Sequence, residues 1–266
     1  MTALPKYWNQ LTTLDFKSLD PRTAVAVLPL AATEQHGPHL PLSVDSDIID
    51  AVVKEGLKHL EPQAPVFVLP TLCLGFSAEH TAFPGTLSLS AQTMLQIGAE
   101  LGACVANSGV RKLLLLNSHG GNVGLMDLIA RDLRGKHSLM VFSTSWYQLP
   151  LSEEAWSGFS SHERRYGVHA GEIETSLMLH IDPDRVKMTE AKDFSSASEQ
   201  RSRDFKILGD GKSTKLGWHI QDYNESGAVG RASAATPQKG AKLLNSAGEQ
   251  LGHLFKELIA IAPVTR

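Results

Sequence analysis

The first apolar run of the chain leads into the stretch Glu34-Gln35-His36-Gly37-Pro38-His39-Leu40-Pro41-Leu42-Ser43-Val44-Asp45. Glu34 and His36 stand two positions apart in an extended segment, so their side chains point to the same side. Gly37 and Pro38 then bend the chain and can bring Asp45 back towards them. Carboxylate, imidazole and carboxylate form a usual ligand set for zinc, manganese or iron(II). The stretch therefore predicts a metal site after a strand, although solvated turn residues and helix caps have the same composition.

Length and composition indicate a soluble globular protein. The 266 residues can bury a sizeable core, and we predict one α/β domain over residues 1–266. Hydrophobic residues make up 42% and charged residues 20%, with a net charge of −3. Because no basic tract is present, we expect no nucleic-acid partner. The 11 histidines, several of them in glycine-rich turns, favour metal chemistry.

Cysteine usage and the N-terminal segment bear on location. Cys73 and Cys104 lack the spacing of a metal site and exclude a disulfide framework, so reduced thiols are expected. Residues 1–17 contain no apolar signal core, and no stretch is long and apolar enough to span a membrane. We therefore expect a cytoplasmic protein with no membrane partner.

Apolar runs and helical periodicities alternate along the chain. Strands are predicted at 23–30, 64–69, 112–116 and 138–143. Helices are predicted at 8–20, 45–60, 91–107 with Ser90 as the cap, 123–133, a segment entered by the turn at 169–171, and 241–261. Residues 184–234 are polar and are interpreted as loops of the same domain. This alternation predicts an α/β fold with a mainly parallel sheet.

Candidate polar residues follow the predicted strands. Glu34 comes after the first strand, His80 lies in the loop after the second, and His119 follows the third. In parallel sheets, ligands bind outside the carboxyl ends of the strands, so these side chains are expected at one edge. His119 precedes Gly120 and Gly121, which let the backbone approach a site, although a helix-capping turn has the same pattern.

For the other candidate site residues, a purely structural role explains the sequence equally well. Glu172 and Glu174 stand at a helix start, where acids are favoured by the helix dipole, and only one need be functional. His169 is either a site residue or a turn residue, and the same choice holds for His80 with its neighbour Glu79. The aromatic residues at 146–166 either line a pocket or cover the core. No Gly-x-Ser-x-Gly elbow is present, and residues 209–212 do not form a phosphate loop.

Several spaced motifs resemble those of the creatininase (creatinine amidohydrolase) family, with this chain standing apart from creatininase proper. They are Glu34-x-His36-Gly37-Pro38-His39-Leu40-Pro41 with Asp45, Asn117-x-His119-Gly120-x-Asn122, His169-x-Gly171-x-x-Glu174-Thr175-Ser176, and the loop His80-x-x-Phe83-Pro84-Gly85-Thr86. The resemblance covers nearly the whole chain. It implies a three-layer α/β/α sandwich, hydrolysis of carbon–nitrogen bonds other than peptide bonds, and commonly a homohexamer.

The resemblance also implies two divalent metal ions per chain, zinc, manganese or iron(II). Glu34 and His119 would hold one ion, His36 the other, and Asp45 would bridge both. Creatininase proper has His-Tyr-Glu-Asn where this chain has residues 119–122, His-Gly-Gly-Asn, so one ligand is missing. Glu174 is the replacement that the matching Glu-Thr-Ser motif implies.

Catalysis is implied to proceed by a metal-activated hydroxide that attacks an amide or formamide carbonyl. His169 would donate to the oxyanion or to the departing nitrogen, so His169 and Glu174 are the expected catalytic residues. Substrate binding is assigned to Ser77, His80, Gly120, Arg165 and Tyr166.

The expected substrate is a small-molecule amide or formamide larger than creatinine. Arg165 and Tyr166 stand where creatininase proper has the Trp-Asp pair of its creatinine pocket. A guanidinium suits an anionic group better than a small neutral ring. The family also contains a formamidopyrimidine deformylase of flavin and deazaflavin biosynthesis and a peptidase that trims the mycofactocin precursor.

Two readings from other classes stay open. One is a non-catalytic, metal-stabilised binding protein whose ions only tie loops together, which would require closed coordination. The other is a binder of phosphates or nucleotide sugars that uses Arg164 and Arg165 with the glycine turn.

Overall fold

The computed structural model describes residues 4–211 and 213–263. A parallel sheet of four strands in the order β2-β1-β3-β4 forms its centre. The strands are β1 (Val25–Leu30), β2 (Val66–Val68), β3 (Lys112–Asn117) and β4 (Met140–Ser145). The predicted mainly parallel sheet is confirmed, with β2 shorter than its apolar run indicated.

Helices surround this sheet, and a short antiparallel pair lies outside it. In the described residues the helices are α1 (Thr13–Ser18), α2 (Val44–Leu57), α3 (Ala91–Asn107), α4 (Val123–His137), α5 (Glu153–Trp156), α6 (Ser161–Tyr166), α7 (Glu172–Ile181), α8 (Ala197–Asp204) and α9 (Pro237–Ala260). The pair consists of β5 (Asp193–Phe194) and β6 (Gly230–Arg231). The predicted bounds of α3 are confirmed. The helix begins after Ser90, whose side chain accepts a hydrogen bond from the Thr93 amide and caps the helix.

Two apolar cores lie on opposite faces of the sheet. Val25 and Val27 of β1 belong to the core shared with α2, α7 and α9. The alternate residues Ala26 and Leu28 belong to the core shared with α3 and α4. Because successive strand residues point to opposite faces, a strand covered on both sides must be apolar throughout. This is why the strands appear in the sequence as unbroken apolar runs.

Three predicted segments differ from the structure. The helix predicted at 8–20 is broken into a 3-10 turn, Trp8–Gln10, and α1, because the Thr12 side chain and Asp15 form a capping box that begins a new helix. No helix was predicted between residues 144 and 167, but this stretch contains α5 and α6. The region 184–234 contains α8 and the β5–β6 pair.

Among the described residues, no helix combines the length and the apolar character needed to cross a bilayer.

Candidate metal centre

The polar stretch after β1 folds back on itself at the carboxyl edge of the sheet. The Glu34 amide donates to the Leu42 carbonyl at 3.0 Å, which returns the chain to the start of α2. Gly37 makes the turn with φ of +66°, and a Cβ there would lie 2.8 Å from Ala228 Cβ. Only glycine fits this left-handed, crowded position. The turn brings Asp45, in the first turn of α2, to the end of the strand.

Three overlapping groups of ligand-type atoms meet at this edge among the described residues, namely Glu34–His36–His169 and two groups that share Asp45. Glu34 Oε1 lies 3.2 Å from His119 Nδ1, and Asp45 Oδ2 lies 3.4 Å from the same nitrogen. His36 Nε2 lies 3.9 Å from Asp45 Oδ1 and 4.0 Å from Glu174 Oε2. Within each of the groups Glu34–Asp45–His119 and His36–Asp45–Glu174, the candidate ligand atoms lie within 4.8 Å of one another. Asp45 belongs to both groups, and the structure brings together all five residues predicted as ligands.

Hydrogen bonds orient both imidazoles towards the carboxylates. His36 Nδ1–H donates to the Glu34 carbonyl at 3.1 Å, which leaves Nε2 as the unprotonated nitrogen. His119 Nε2–H donates to the Phe76 carbonyl at 2.8 Å, which leaves Nδ1 facing Glu34 and Asp45. Histidines that bind metals in proteins usually donate their other N–H in this way. The backbone thus presets the tautomer that a metal ion requires.

Several buried atoms of the cluster have no hydrogen-bond partner in the described residues, namely Glu34 Oε2, His36 Nε2 and Asp45 Oδ2. Burial, and then the charge of Glu34, raises the pKa of Asp45 well above its ordinary value. Burial, and then His169, lowers the pKa of His36 well below its ordinary value. Buried polar atoms without partners are costly, and divalent cations held at the cluster would satisfy them. The donor set therefore fits metal ions.

His80 and His169 stand above Glu34 with stacked rings, 4.2 Å between centroids. The Gln35 side-chain amide donates to His80 Nδ1 at 2.8 Å, so His80 carries its proton on Nε2, 3.3 Å from Glu34 Oε1. His169 Nε2–H donates to the Gln35 carbonyl at 2.8 Å, and its Nδ1 lies 3.9 Å from Glu34 Oε1. Burial, and then His169, lowers the pKa of His80 to about 3.

Gln35 is a site residue that the sequence prediction missed. Its side-chain amide also donates to the Gly227 carbonyl at 2.8 Å, so one residue orients two histidines and anchors a distant loop. In the sequence, only its position between the candidate ligands Glu34 and His36 indicated that Gln35 belongs to the site.

The structure separates the two glutamates at the start of α7. Glu174 Oε2 faces His36 and accepts from the Ala170 amide at 2.5 Å. Glu172 is buried in an ion pair with Lys239 of α9. The sequence left open which of the two glutamates is functional, and the structure places Glu174 beside the cluster.

A cavity of about 610 Å³ opens above the cluster. Four aromatic side chains line it together with residues of the cluster, and they are Trp146, Tyr147, Trp156 and Trp218. The aromatic residues at 146, 147 and 156 are thus pocket residues, although Trp146 is also a core residue. His80 and Gly120, both predicted to bind substrate, line the same cavity.

Gly120 and Gly121 differ in the space around them. A Cβ on Gly120 would meet no heavy atom within 4 Å, as expected for a residue that leaves room beside the site. A Cβ on Gly121 would lie 2.1 Å from the Phe76 carbonyl oxygen and 2.6 Å from Glu79 Oε1. The space at position 121 is therefore already filled, and glycine lets the backbone approach these neighbours there.

The other predicted substrate contacts lie away from the cavity. The Arg165 guanidinium lies over the Tyr166 ring at 5.1 Å, and the Tyr166 hydroxyl bonds Ser202 Oγ at 2.8 Å. Ser77 is fully buried, with Oγ 3.2 Å from His119 Nε2, so it packs behind a candidate ligand. Successive residues of a helix point about 100° apart, and α6 turns Arg164 rather than Arg165 towards the cavity.

A parallel α/β sheet with a buried carboxylate–imidazole cluster that could hold metal ions, and an open cavity at its carboxyl edge, is typical of an α/β enzyme. The profile of the creatininase (creatinine amidohydrolase) family matches residues 9–255. The chain therefore belongs to that family, as the motifs predicted.

Named relatives include a peptidase and an amidohydrolase, both of them hydrolases. Mycofactocin precursor peptide peptidase of Mycobacterium ulcerans (strain Agy99) is 33% identical over 168 residues, 60% of this chain and 59% of that protein. Creatinine amidohydrolase of Pseudomonas putida is 30% identical over 208 residues, 70% of this chain and 76% of that protein. The match to the first relative thus spans less than two thirds of its length.

Solved structures have the same fold. A putative creatinine amidohydrolase from Bacteroides fragilis superposes with a TM-score of 0.76 at 25% identity, covering 98% of each chain. Creatininase structures described with manganese and with a zinc pair superpose with TM-scores of 0.75 at 24% identity, covering 97% of this chain and 100% of theirs.

Proposed function

We propose that this protein is an amidohydrolase that cleaves an amide or formamide C–N bond with two divalent ions held at the cluster. The observation that carries the proposal is the pair of ligand groups that share Asp45. Glu34 and His119 would complete one site, and His36 and Glu174 the other. When bound, such ions polarise a carbonyl group and lower the pKa of a water molecule to ~7. Zinc, manganese and iron(II) all suit this donor set.

The residues of the chain account for proton movement. Because the Gln35 carbonyl holds the proton of His169 on Nε2, His169 Nδ1 is free to accept a proton and pass it to the departing nitrogen. His80 lines the cavity and carries its proton on Nε2, which faces Glu34 Oε1 at 3.3 Å, so we assign His80 to orienting that carboxylate. Glu174 is assigned to metal binding rather than to proton transfer.

The cavity favours a catalytic role over a purely structural one. Structural metal sites are closed, whereas this cluster opens into a space of about 610 Å³. That space is large for creatinine and suits a bigger substrate, such as a formamidopyrimidine or a short peptide of the kind named for the mycobacterial relative. We therefore propose poor turnover of creatinine itself.

Chelation tests this function. Exhaustive removal of metal should abolish hydrolysis, and adding zinc, manganese or iron(II) back should restore it. The assay compares creatinine with a formylaminopyrimidine and a short peptide. Full activity in the stripped protein would contradict the proposal.

We further propose that residues 1–266 act as one domain in a cytoplasmic homohexamer. Exposed apolar side chains support an assembly, since Phe205, Ile207 and Leu208 are each more than half exposed. The free, exposed Cys73 and Cys104 suit a reducing compartment. Sedimentation at micromolar concentration that gives only a 28.8 kDa species would contradict the hexamer.

A further inference from the structure

Arg164 stands on the wall of the cavity, and its guanidinium lies over the ring of Trp156. Its Cζ lies 5.1 Å from the centroid of the Trp156 ring, and both residues line the cavity. Among the described residues of that lining, Arg164 is the only lysine or arginine. No carboxylate of the described residues lies within 4.0 Å of its guanidinium nitrogens, whereas Arg185 pairs with both Asp47 and Asp182.

This arrangement suits an incoming anion. A guanidinium that lies over an aromatic ring keeps the N–H groups in its own plane available, and they can bind a carboxylate or phosphate through two parallel hydrogen bonds. The face of the Trp156 ring attracts the guanidinium to this wall of the cavity. None of the four described carboxylates that line the cavity pairs with Arg164, and Glu79 instead lies 3.7 Å from His119 Nε2.

Most of the remaining side chains of the wall are apolar, although Glu79 and Tyr147 also line the cavity. Trp146, Trp218, Val168 and Ile173 line the space between the cluster and the solvent. A substrate would therefore place its amide at the floor, an apolar body against these side chains, and its polar end at the wall. Because Arg164 is the only lysine or arginine among the described lining residues, it is the group that selects the charge of that end.

We propose that the Arg164–Trp156 pair binds an oxyanion of the substrate, so that the substrate class is an N-acyl compound or short peptide that carries a carboxylate or a phosphate. This inference rests on the proposed function, because it assigns the scissile amide to the same cavity. Arg164 is then a specificity-determining residue, and it has the substrate-binding role that the sequence assigned to Arg165.

The test uses Arg164→Gln and Arg164→Lys, with Arg165→Gln as the matched control on the same helix. The metal-loaded proteins are assayed on N-formyl-L-leucine, its uncharged amide N-formyl-L-leucinamide, and N-formyl-O-phosphoethanolamine. A charged hydrogen-bonded contact corresponds to a change of roughly ten- to a hundredfold. Arg164→Gln should raise KM for the anionic substrates by that factor, with kcat and the KM of the uncharged amide nearly unchanged.

Arg164→Lys should fall between wild type and Arg164→Gln, and Arg165→Gln should match wild type. The two anionic substrates show whether carboxylate or phosphate is preferred. An equal loss on charged and uncharged substrates, or the same loss in Arg165→Gln, would overturn the proposal.

Binding separates this inference from the proposed function. If the metal-loaded protein hydrolyses none of the three compounds, the proposed function fails for them, and tryptophan fluorescence still measures the binding of the two anionic compounds. Weaker binding to Arg164→Gln than to wild type supports the role of Arg164. Equal binding to both proteins, or no binding of either compound to wild type, overturns it.

Discussion

The floor and the wall of the cavity are built in different ways. On the floor, Glu34, Asp45 and His119 are almost completely buried, and strand ends and a helix start hold them in place. On the wall, Arg164 belongs to the short helix α6, and Trp218 belongs to the long connection that follows α8. Rigid elements give the precision that metal binding needs, whereas loops can vary with the substrate. Changes to the floor should therefore stop catalysis, and changes to the wall should alter what is bound.

The largest effect is expected for Asp45→Asn, because both ligand groups contain this residue. We expect loss of both ions and a fall in kcat of at least about a thousandfold, on the order of 4 kcal/mol. Metal analysis together with a steady-state assay measures both. Asp47→Asn is the control, since Asp47 lies on the same helix but pairs with Arg185. Two ions retained in Asp45→Asn would remove the shared-ligand assignment.

A second test compares the two glutamates of α7. Glu174→Gln should lose one of the two ions and about a hundredfold in activity, since an amide is a weak ligand. Glu172→Gln should keep both ions but leave Lys239 without its buried partner, which costs roughly 1–3 kcal/mol of unfolding free energy. Metal content and urea denaturation distinguish these outcomes. The reverse pattern would mean that Glu172 is the ligand.

The smallest effect on catalysis is expected for Glu163→Ala, at a residue that connects the wall of the cavity to its floor. Glu163 of α6 is buried and accepts from the Glu172 amide at 2.7 Å and the Arg231 amide at 2.8 Å. Glu163→Ala would leave both amides without their acceptor, so the free energy of unfolding should fall by roughly 2–4 kcal/mol. Urea denaturation measures this loss.

Exposed Glu153 provides the control for Glu163, since Glu153→Ala should change stability by well under 1 kcal/mol. The metal content of folded Glu163→Ala should stay at the wild-type value. If Glu163→Ala is as stable as Glu153→Ala, the amides of Glu172 and Arg231 have other acceptors. The hydrogen bonds of Glu163 then do not stabilise the contact between wall and floor.

The sequence predicted the floor far better than the wall, for a physical reason. Strands covered on both faces appear as apolar runs, and residues that follow strand ends meet at one edge whatever the loops do. Which arginine of α6 faces the cavity depends on the rotation of a six-residue helix, which tertiary contacts decide. The role of Gln35 depends on His80 and His169, which lie 45 and 134 residues away. No local pattern records either contact.

Anomalous diffraction from crystals grown with zinc or manganese tests most directly whether Asp45 is shared by two ions. We predict two peaks per chain, roughly 3.5–4 Å apart as in other two-metal sites. One should lie among Glu34, Asp45 and His119, and the other among His36, Asp45 and Glu174. A single peak, or two peaks that do not both contact Asp45, would contradict the dinuclear centre.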